Sequence, residues 1–217
     1  YWRRFARIYP AHVVALLVAI PVFYSVPPAA PDPDQFWVKP LAIAPLLLSL
    51  VLLQSWFRAP SILFSGNPAA WTLGVEAFFY ALHPWLSRLL ARVSRRGALL
   101  ALVAVTAVVM LHRVAVVCDS SGVLAGLPGP VARLEEFVMG MVVARLVQLG
   151  AGRWIRPWMG YAAIAVFLTW SVLARRHGWV DTWSVWARDL ELQVLAVLFA
   201  LTILGIANND LAQRRSW

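Results

Sequence analysis

Residues 98–117 read ALLALVAVTAVVMLHRVAVV, and the ionisable side chains in this run are His112 and Arg113, near its end. An α-helix needs about 20 mainly apolar residues to cross the hydrocarbon core of a bilayer. In lipid a spanning segment must pair its own backbone groups, which it does as a helix. The run therefore predicts a transmembrane α-helix, and similar runs lie on either side of it.

The composition of the whole chain is that of a membrane protein. Of its 217 residues 61% are hydrophobic and 13% are charged, and the mean hydropathy is +0.72. Soluble domains have about 45–50% apolar and about 25% charged residues. The net charge of +9 comes mainly from arginines at the ends of apolar runs, where membrane proteins keep cytoplasmic charge. This placement predicts the lipid bilayer as a partner and argues against nucleic acid.

Seven apolar segments follow one another along the chain. They are residues 8–24, 41–57, 71–90, 98–117, 131–149, 155–174 and 190–207. The second segment is the weakest helix candidate, because Pro40 precedes it and Pro45 interrupts it.

The positions of the arginines refine this count of spans. The positive-inside rule places arginine-rich connections in the cytoplasm, yet seven full crossings would put residues 88–96 outside. The conflict disappears if residues 41–57 enter the membrane and return, buried against protein. We therefore predict an all-α fold, a polytopic transmembrane helical bundle of about six full spans plus one possible re-entrant hairpin. It forms one integral-membrane domain over residues 1–217, with Arg175 and Arg176 as exceptions on the outer side.

The first candidate site lies in residues 71–84, WTLGVEAFFYALHP. Ionisable groups inside a membrane are costly and are functional candidates by default. Glu76, Tyr80 and His83 are spaced i, i+4 and i+7, which places them on one helix face. Such a face predicts either a carboxylate–phenol–imidazole network that handles protons or orients a substrate, or a polar seam between helices.

The second candidate site is the arginine pair in residues 4–10, RFARIYP. Arg4 and Arg7 lie one turn apart at the cytoplasmic end of the first segment. Two guanidinium groups suit a phosphate-bearing ligand, but arginines here also serve as topology signals and headgroup anchors.

The third candidate is residues 133–145, RLEEFVMGMVVAR. Glu135 and Glu136 are typical of a helix N-terminus, where carboxylates meet the positive end of the helix dipole. Gly140 and Ala144 form a small-residue face that favours close helix packing.

Metal chemistry is not predicted. His12, His83, His112 and His177 show no i, i+4 pairing, and Cys118 is the one cysteine, so a zinc cluster lacks ligands. An isolated histidine in a membrane helix is more commonly a packing residue that forms a hydrogen bond.

Taken together, the three motifs resemble the membrane-bound acyltransferase-3 family, whose members O-acylate cell-surface glycans, antibiotics and related molecules. Residues 4–10 are similar to the family pattern Arg-x-x-Arg-Ile-x-Pro, and residues 134–141 (LEEFVMGM) to Glu-Phe-x-x-Gly-Met. Residues 71–84 are similar to Trp-Ser-Leu-x-Val-Glu-x-x-Phe-Tyr-x-x-x-Pro. Thr72 and Ala77 depart from that pattern, since the family usually has serine and often a second glutamate there.

The resemblance implies an O-acyltransferase that moves an acyl group, expected to be acetyl, from cytoplasmic acyl-CoA to a hydroxyl of a glycan or similar cell-envelope acceptor. It implies a location in the bacterial plasma (inner) membrane and no metal. Its site residues fall into three groups. They are Arg4 and Arg7 for the CoA phosphates, Glu76, Tyr80 and His83 for catalysis, and Trp71 and Glu136 for the substrate.

The resemblance also implies a larger protein. Family members have about ten spans, and the earliest contains a histidine thought to act as general base or acyl carrier, so that span is expected before Tyr1 and others after Trp217. The fragment is then expected to be inactive alone, unless His12 or His83 serves instead. Two other classes remain open, a polytopic transporter or lipid flippase and a non-catalytic membrane scaffold.

Overall fold

The computed structural model describes residues 2–24, 43–178 and 185–214, with side chains described for residues 6–21, 43–178 and 191–212. Within these ranges all regular secondary structure is helical. The α-helices are α1 (Trp2–Tyr24), α2 (Ile43–Leu50), α3 (Pro60–Leu63), α4 (Trp71–Ala91), α5 (Arg95–Cys118), α6 (Gly129–Ala132), α7 (Leu134–Gln148), α8 (Pro157–Arg176) and α9 (Val185–Arg214). Two 3-10 turns, Gln54–Trp56 and Pro68–Ala70, connect α2, α3 and α4.

The prediction of an all-α membrane protein is confirmed. Among the described residues three helical stretches are long and apolar enough to cross a bilayer, Arg95–Cys118, Pro157–Arg176 and Glu191–Ala212. Large apolar side chains such as Leu100 and Leu111 are 70% and 67% exposed, as expected where helices face lipid. Helix α1 contributes a shorter apolar stretch, Ala6–Pro21.

The chain packs as two compact units. The first unit contains Tyr1–Pro84 and Gly126–Leu134, and the second contains Trp85–Ala125 and Glu135–Trp217. Because α4 and α7 each pass from one unit into the other, this division does not test the prediction of one domain.

In the first unit the segment predicted to be re-entrant does not form a spanning helix. Its helix α2 has eight residues, about 12 Å at 1.5 Å per residue, which is less than half of the hydrocarbon thickness. The chain then turns at Leu52, whose φ is +61°. It comes back to α2 at Gly66, where an added Cβ would lie 3.3 Å from Leu46 Cδ2. These residues therefore form a hairpin that turns back toward α2, while its re-entrant position in the membrane stays a prediction.

In the second unit a hydrophobic core lies among α5, α7 and α9. Its members include Ala98, Val142, Leu146 and Leu204. Helices α8 and α9 pack closely at Gly160, where an added Cβ would lie 2.9 Å from Thr202 Cα. Small residues allow such backbone approach between membrane helices.

Two arginines of the second unit have defined structural partners. Arg145 Nη2 donates hydrogen bonds to the carbonyl oxygens of Ala91 at 2.7 Å and Val93 at 3.0 Å, so it satisfies acceptors at the C-terminal end of α4. Arg175, one of the two exceptions to the positive-inside pattern, forms an ion pair with Glu191. The pairing gives its guanidinium group a local partner.

Candidate functional site

A cavity of about 180 Å³ lies within the first unit. The helix α1, the turn after α2 and the helix α4 enclose it, and its walls include Ile8, Tyr9, His12, Leu52, Glu76 and Tyr80. Along α4, Tyr80 lies nine residues after Trp71, about 13 Å into the helix at 1.5 Å per residue. At the cavity the side chain of Glu76 is exposed and that of Tyr80 is half-buried.

Glu76 and Tyr80 form a pair at this cavity. The Tyr80 hydroxyl donates a hydrogen bond of 3.2 Å to Glu76 Oε2, as the i, i+4 spacing allows. One Glu76 oxygen and the lone pairs of the phenol oxygen can then accept hydrogen bonds from a ligand. The third member of the predicted face, His83, is exposed and is not among the residues that line the cavity.

His12 is the imidazole that borders the cavity. Its side chain is 3% exposed, and Nε2 lies 3.0 Å from the Ser49 carbonyl oxygen. A carbonyl can only accept a hydrogen bond, so Nε2 must hold a proton and Nδ1 is the acceptor in the neutral ring. Nδ1 is itself buried and has no hydrogen-bond partner among the described residues, so its lone pair is left unsatisfied within the first unit.

Residues 49–55, here called the polar wall, contact α1 through the Ser49 and Leu50 carbonyls and lie against α4 at Gly74. Tyr9 donates a hydrogen bond to the Leu50 carbonyl at 3.1 Å, and Gln54 Nε2 donates to the Ala70 carbonyl at 3.0 Å. The side chains of Ser49, Gln54 and Ser55 are fully buried. Among the described residues Ser49 Oγ, Ser55 Oγ and Gln54 Oε1 lack partners. Buried polar groups without partners are costly, and such costs concentrate at functional sites.

Gly74 allows the hairpin to lie against α4. A Cβ at this position would lie 2.7 Å from the Leu52 carbonyl oxygen, which is closer than real Cβ atoms come. The glycine in the motif of residues 71–84 therefore positions the turn that closes the cavity next to Glu76.

The other predicted residues of the first unit lie around this site. Arg7 is exposed and directly precedes Ile8 of the cavity wall, while the side chain of Arg4 lies outside the described residues. Trp71 begins α4, and the Arg133 guanidinium carbon lies 6.0 Å from the centroid of its ring. This is a cation–π distance, so Trp71 has a structural partner as well as its predicted substrate role.

In the second unit the glutamates at the start of α7 face the end of α5. His112 Nδ1 lies 2.9 Å from Glu135 Oε1, and Arg113 Nη2 lies 3.4 Å from Glu136 Oε1. Glu136, predicted to bind substrate, is thus paired with an arginine inside its own unit. The two contacts join α5 to α7.

The expectation of no metal remains a prediction. Within the part of the chain that the structure describes, no group of three His, Cys, Asp or Glu side chains is placed to hold a metal ion. The ionisable groups that border the cavity are an imidazole, a carboxylate and a phenol.

These features define an integral membrane protein with a largely apolar cavity that an imidazole, a carboxylate and a phenol border. The acyltransferase 3 family model, described as an acyltransferase domain, matches residues 1–217, so the chain belongs to this family. The acyltransferase MdmB of Streptomyces mycarofaciens is 31% identical over 165 residues, which cover 70% of this chain and 41% of that protein. The matched residues thus cover less than half the length of this relative. No solved structure matches the present chain.

The resemblance recognised in the three motifs is therefore confirmed at the level of the family. The family resemblance gives His12 only as a substitute for the catalytic histidine that is expected before Tyr1. Its position one turn after Ile8 and three residues after Tyr9 could have indicated a shared helix face. The residues of the polar wall had no sequence signal.

Proposed function

We propose that this chain belongs to a membrane O-acyltransferase that moves an acyl group, by preference acetyl, from cytoplasmic acyl-CoA to a hydroxyl of a glycan or similar cell-envelope acceptor. The observation that supports this most is the meeting of His12, Glu76 and Tyr80 at one cavity. Membership of the acyltransferase 3 family and the similarity to MdmB support the class of reaction. The bacterial plasma membrane is the proposed location.

The proposed roles follow from hydrogen-bond capacity. In acyl transfer the acceptor oxygen forms a bond to the thioester carbonyl carbon, the carbon–sulfur bond breaks, and the acceptor proton passes to the departing sulfur. His12 Nδ1 takes this proton first and returns it to the thiolate, as a general base and then acid does. Glu76 and Tyr80 accept hydrogen bonds from acceptor hydroxyls and hold the reacting oxygen in place.

The donor is proposed to enter beside Arg4 and Arg7. Their guanidinium groups suit the phosphates of CoA. Arg7 stands five residues before His12, about 7.5 Å along α1 at 1.5 Å per residue. An acyl-CoA held by its phosphates at this end of α1 could direct its acyl group along the helix to the cavity.

Binding of acetyl-CoA by the full-length protein in nanodiscs tests this proposal. Saturable binding is expected for the wild type and should be lost in Arg4→Ala/Arg7→Ala. Arg3→Ala is the matched control, because it removes a neighbouring positive charge of the same helix end and is expected to bind as the wild type does. If a folded wild type binds no acyl-CoA, the result contradicts the acyltransferase proposal and favours a transporter or a scaffold.

A further inference from the structure

A second cavity, of about 340 Å³, lies within the second unit. The end of α7, the turn that follows it and the last part of α9 form its walls. Its polar lining comes from Gln148, Arg153, Arg156, Asn208 and Asn209. A cavity of this size can hold a small ligand or part of a larger one.

The charge of this cavity is uncompensated within the described residues. Arg113 and Arg175 elsewhere in the unit are paired with carboxylates, whereas Arg153 and Arg156 form no ion pair with a described carboxylate. Both guanidinium groups line the same cavity, and like charges close to one another repel. The cavity is therefore expected to favour an anion.

The turn that bears these arginines is held in a defined shape. Gly150 has a φ of +65° and ends α7 with hydrogen bonds from its own N–H to the Val147 carbonyl and from the Ala151 N–H to the Leu146 carbonyl, which is a Schellman motif. Asn208 Nδ2 of α9 donates to the Ala151 carbonyl at 2.8 Å.

Gly150 also allows the guanidinium of Arg153 to lie against the turn. An added Cβ would be 2.8 Å from Arg153 Nη2 and 3.0 Å from Nε. The guanidinium group of Arg153 thus lies against the turn that Gly150 forms at the cavity.

We infer that this cavity binds a phosphate ester. Guanidinium groups match phosphate oxygens with two parallel hydrogen bonds, and the amides of Gln148 and Asn209 can donate to the remaining oxygens. The connection between α7 and α8 is predicted to be cytoplasmic from its arginines. The phosphate can therefore belong to a soluble nucleotide such as the end of CoA, or to an anionic lipid headgroup of the inner leaflet. The inference stands without the proposed acyl transfer.

The test uses the full-length protein in two arms. The first measures binding of adenosine 3′,5′-bisphosphate in nanodiscs of zwitterionic lipid. The second measures retention of phosphatidylglycerol on the protein purified from mixed-lipid nanodiscs. In the arm that is positive, Arg153→Gln/Arg156→Gln is expected to weaken binding by about tenfold or more, as the loss of charge-assisted hydrogen bonds implies.

Two further variants separate a site from general charge. Arg153→Lys/Arg156→Lys keeps both positive charges, and with them the predicted cytoplasmic location of the turn. It loses the planar guanidinium groups that form two parallel hydrogen bonds to a phosphate, so weaker binding is expected here too. Arg95→Gln/Arg96→Gln removes two exposed arginines that do not line the cavity, and binding should be unchanged. Binding in the nucleotide arm alone supports the site and assigns a soluble ligand, and binding in the lipid arm alone supports it and assigns a headgroup.

The inference is overturned if a folded wild type binds neither probe. It is also overturned if Arg95→Gln/Arg96→Gln weakens binding as much as Arg153→Gln/Arg156→Gln does, because the arginines would then act only as distributed charge.

Discussion

Replacement of His12 by glutamine separates the two roles that its position allows. The side-chain amide nitrogen of the introduced glutamine can donate to the Ser49 carbonyl as His12 Nε2 does now at 3.0 Å, while the second ring nitrogen disappears. His12→Gln therefore keeps the contact that holds α1 to the hairpin and removes the base. His12→Leu removes both.

The expected stabilities follow from the hydrogen bonds of the Ser49 carbonyl. This oxygen also accepts a hydrogen bond from the Leu52 N–H at 3.1 Å, so His12→Leu leaves it with one bond. The loss should be near the lower end of the range for a buried group, about 1 kcal/mol in the free energy of unfolding. His12→Gln should change this energy by less than about 0.5 kcal/mol.

The expected rates differ much more than the stabilities. General base catalysis contributes about 10²–10⁴-fold, and each factor of ten is about 1.36 kcal/mol in the barrier. His12→Gln should therefore lower the rate of acyl transfer by at least about 100-fold. A residue that only packs would leave the rate unchanged.

The assay is release of free CoA by the full-length protein at saturating acetyl-CoA and acceptor, beside thermal unfolding in the same detergent. His177→Gln is the matched control, since His177 is exposed at the end of α8 and its replacement should leave the rate unchanged. If His12→Gln is stable and transfers acyl groups at the wild-type rate, His12 is a structural residue. The base then lies elsewhere in the protein.

Three further predictions concern single contacts. Glu76→Gln keeps an acceptor for the Tyr80 hydroxyl but loses the charge-assisted hydrogen bond to the acceptor, so CoA release should fall by about tenfold with an unchanged unfolding midpoint; equal rates would exclude a role for the carboxylate. Gly160→Ala places a Cβ 2.9 Å from Thr202 Cα and should destabilise the protein by about 1–3 kcal/mol, whereas an unchanged unfolding midpoint would contradict the close packing of α8 and α9. Glu191→Gln leaves Arg175 without its carboxylate and should cost about 1–2 kcal/mol in unfolding, since the pair is partly exposed; no loss would show that solvent replaces the glutamate.

The fold class follows from the sequence because lipid limits the choices for the backbone. Apolar runs such as residues 98–117 can only be helices there, and the structure has α5 at Arg95–Cys118. The hairpin at residues 41–57 follows from the positions of the arginines rather than from hydropathy. Hydropathy alone gives a span at residues 41–57, and the side on which the arginines of residues 88–96 must lie predicts the return.

The cavity could be predicted only in part. The pair of Glu76 and Tyr80 is local, and helix periodicity predicts it. His83 fits the same periodicity but does not line the cavity. Periodicity predicts which residues share a face, but not how much of that face a neighbouring segment covers.

The polar wall could not be predicted, because its contacts join residues that are far apart in sequence. His12 and Ser49 are 37 positions apart, and Tyr9 and Leu50 are 41 apart. The register of α1 against the hairpin is set by packing. No local sequence pattern in either segment predicts this register.

The hairpin explains how apolar segments supply polar contacts beside the cavity. In a continuous helix each inner carbonyl already accepts from the N–H four residues on, so a full span at residues 41–57 would have fewer accessible acceptors for Tyr9 or His12. A short helix that ends at Leu50 leaves its last carbonyls with fewer partners of their own, and the oxygens of Ser49 and Leu50 accept from His12 and Tyr9. The cost is a leucine at positive φ, about 1–3 kcal/mol. In return the imidazole is held in one tautomer, and Gly74 lets the same turn approach the helix that bears Glu76.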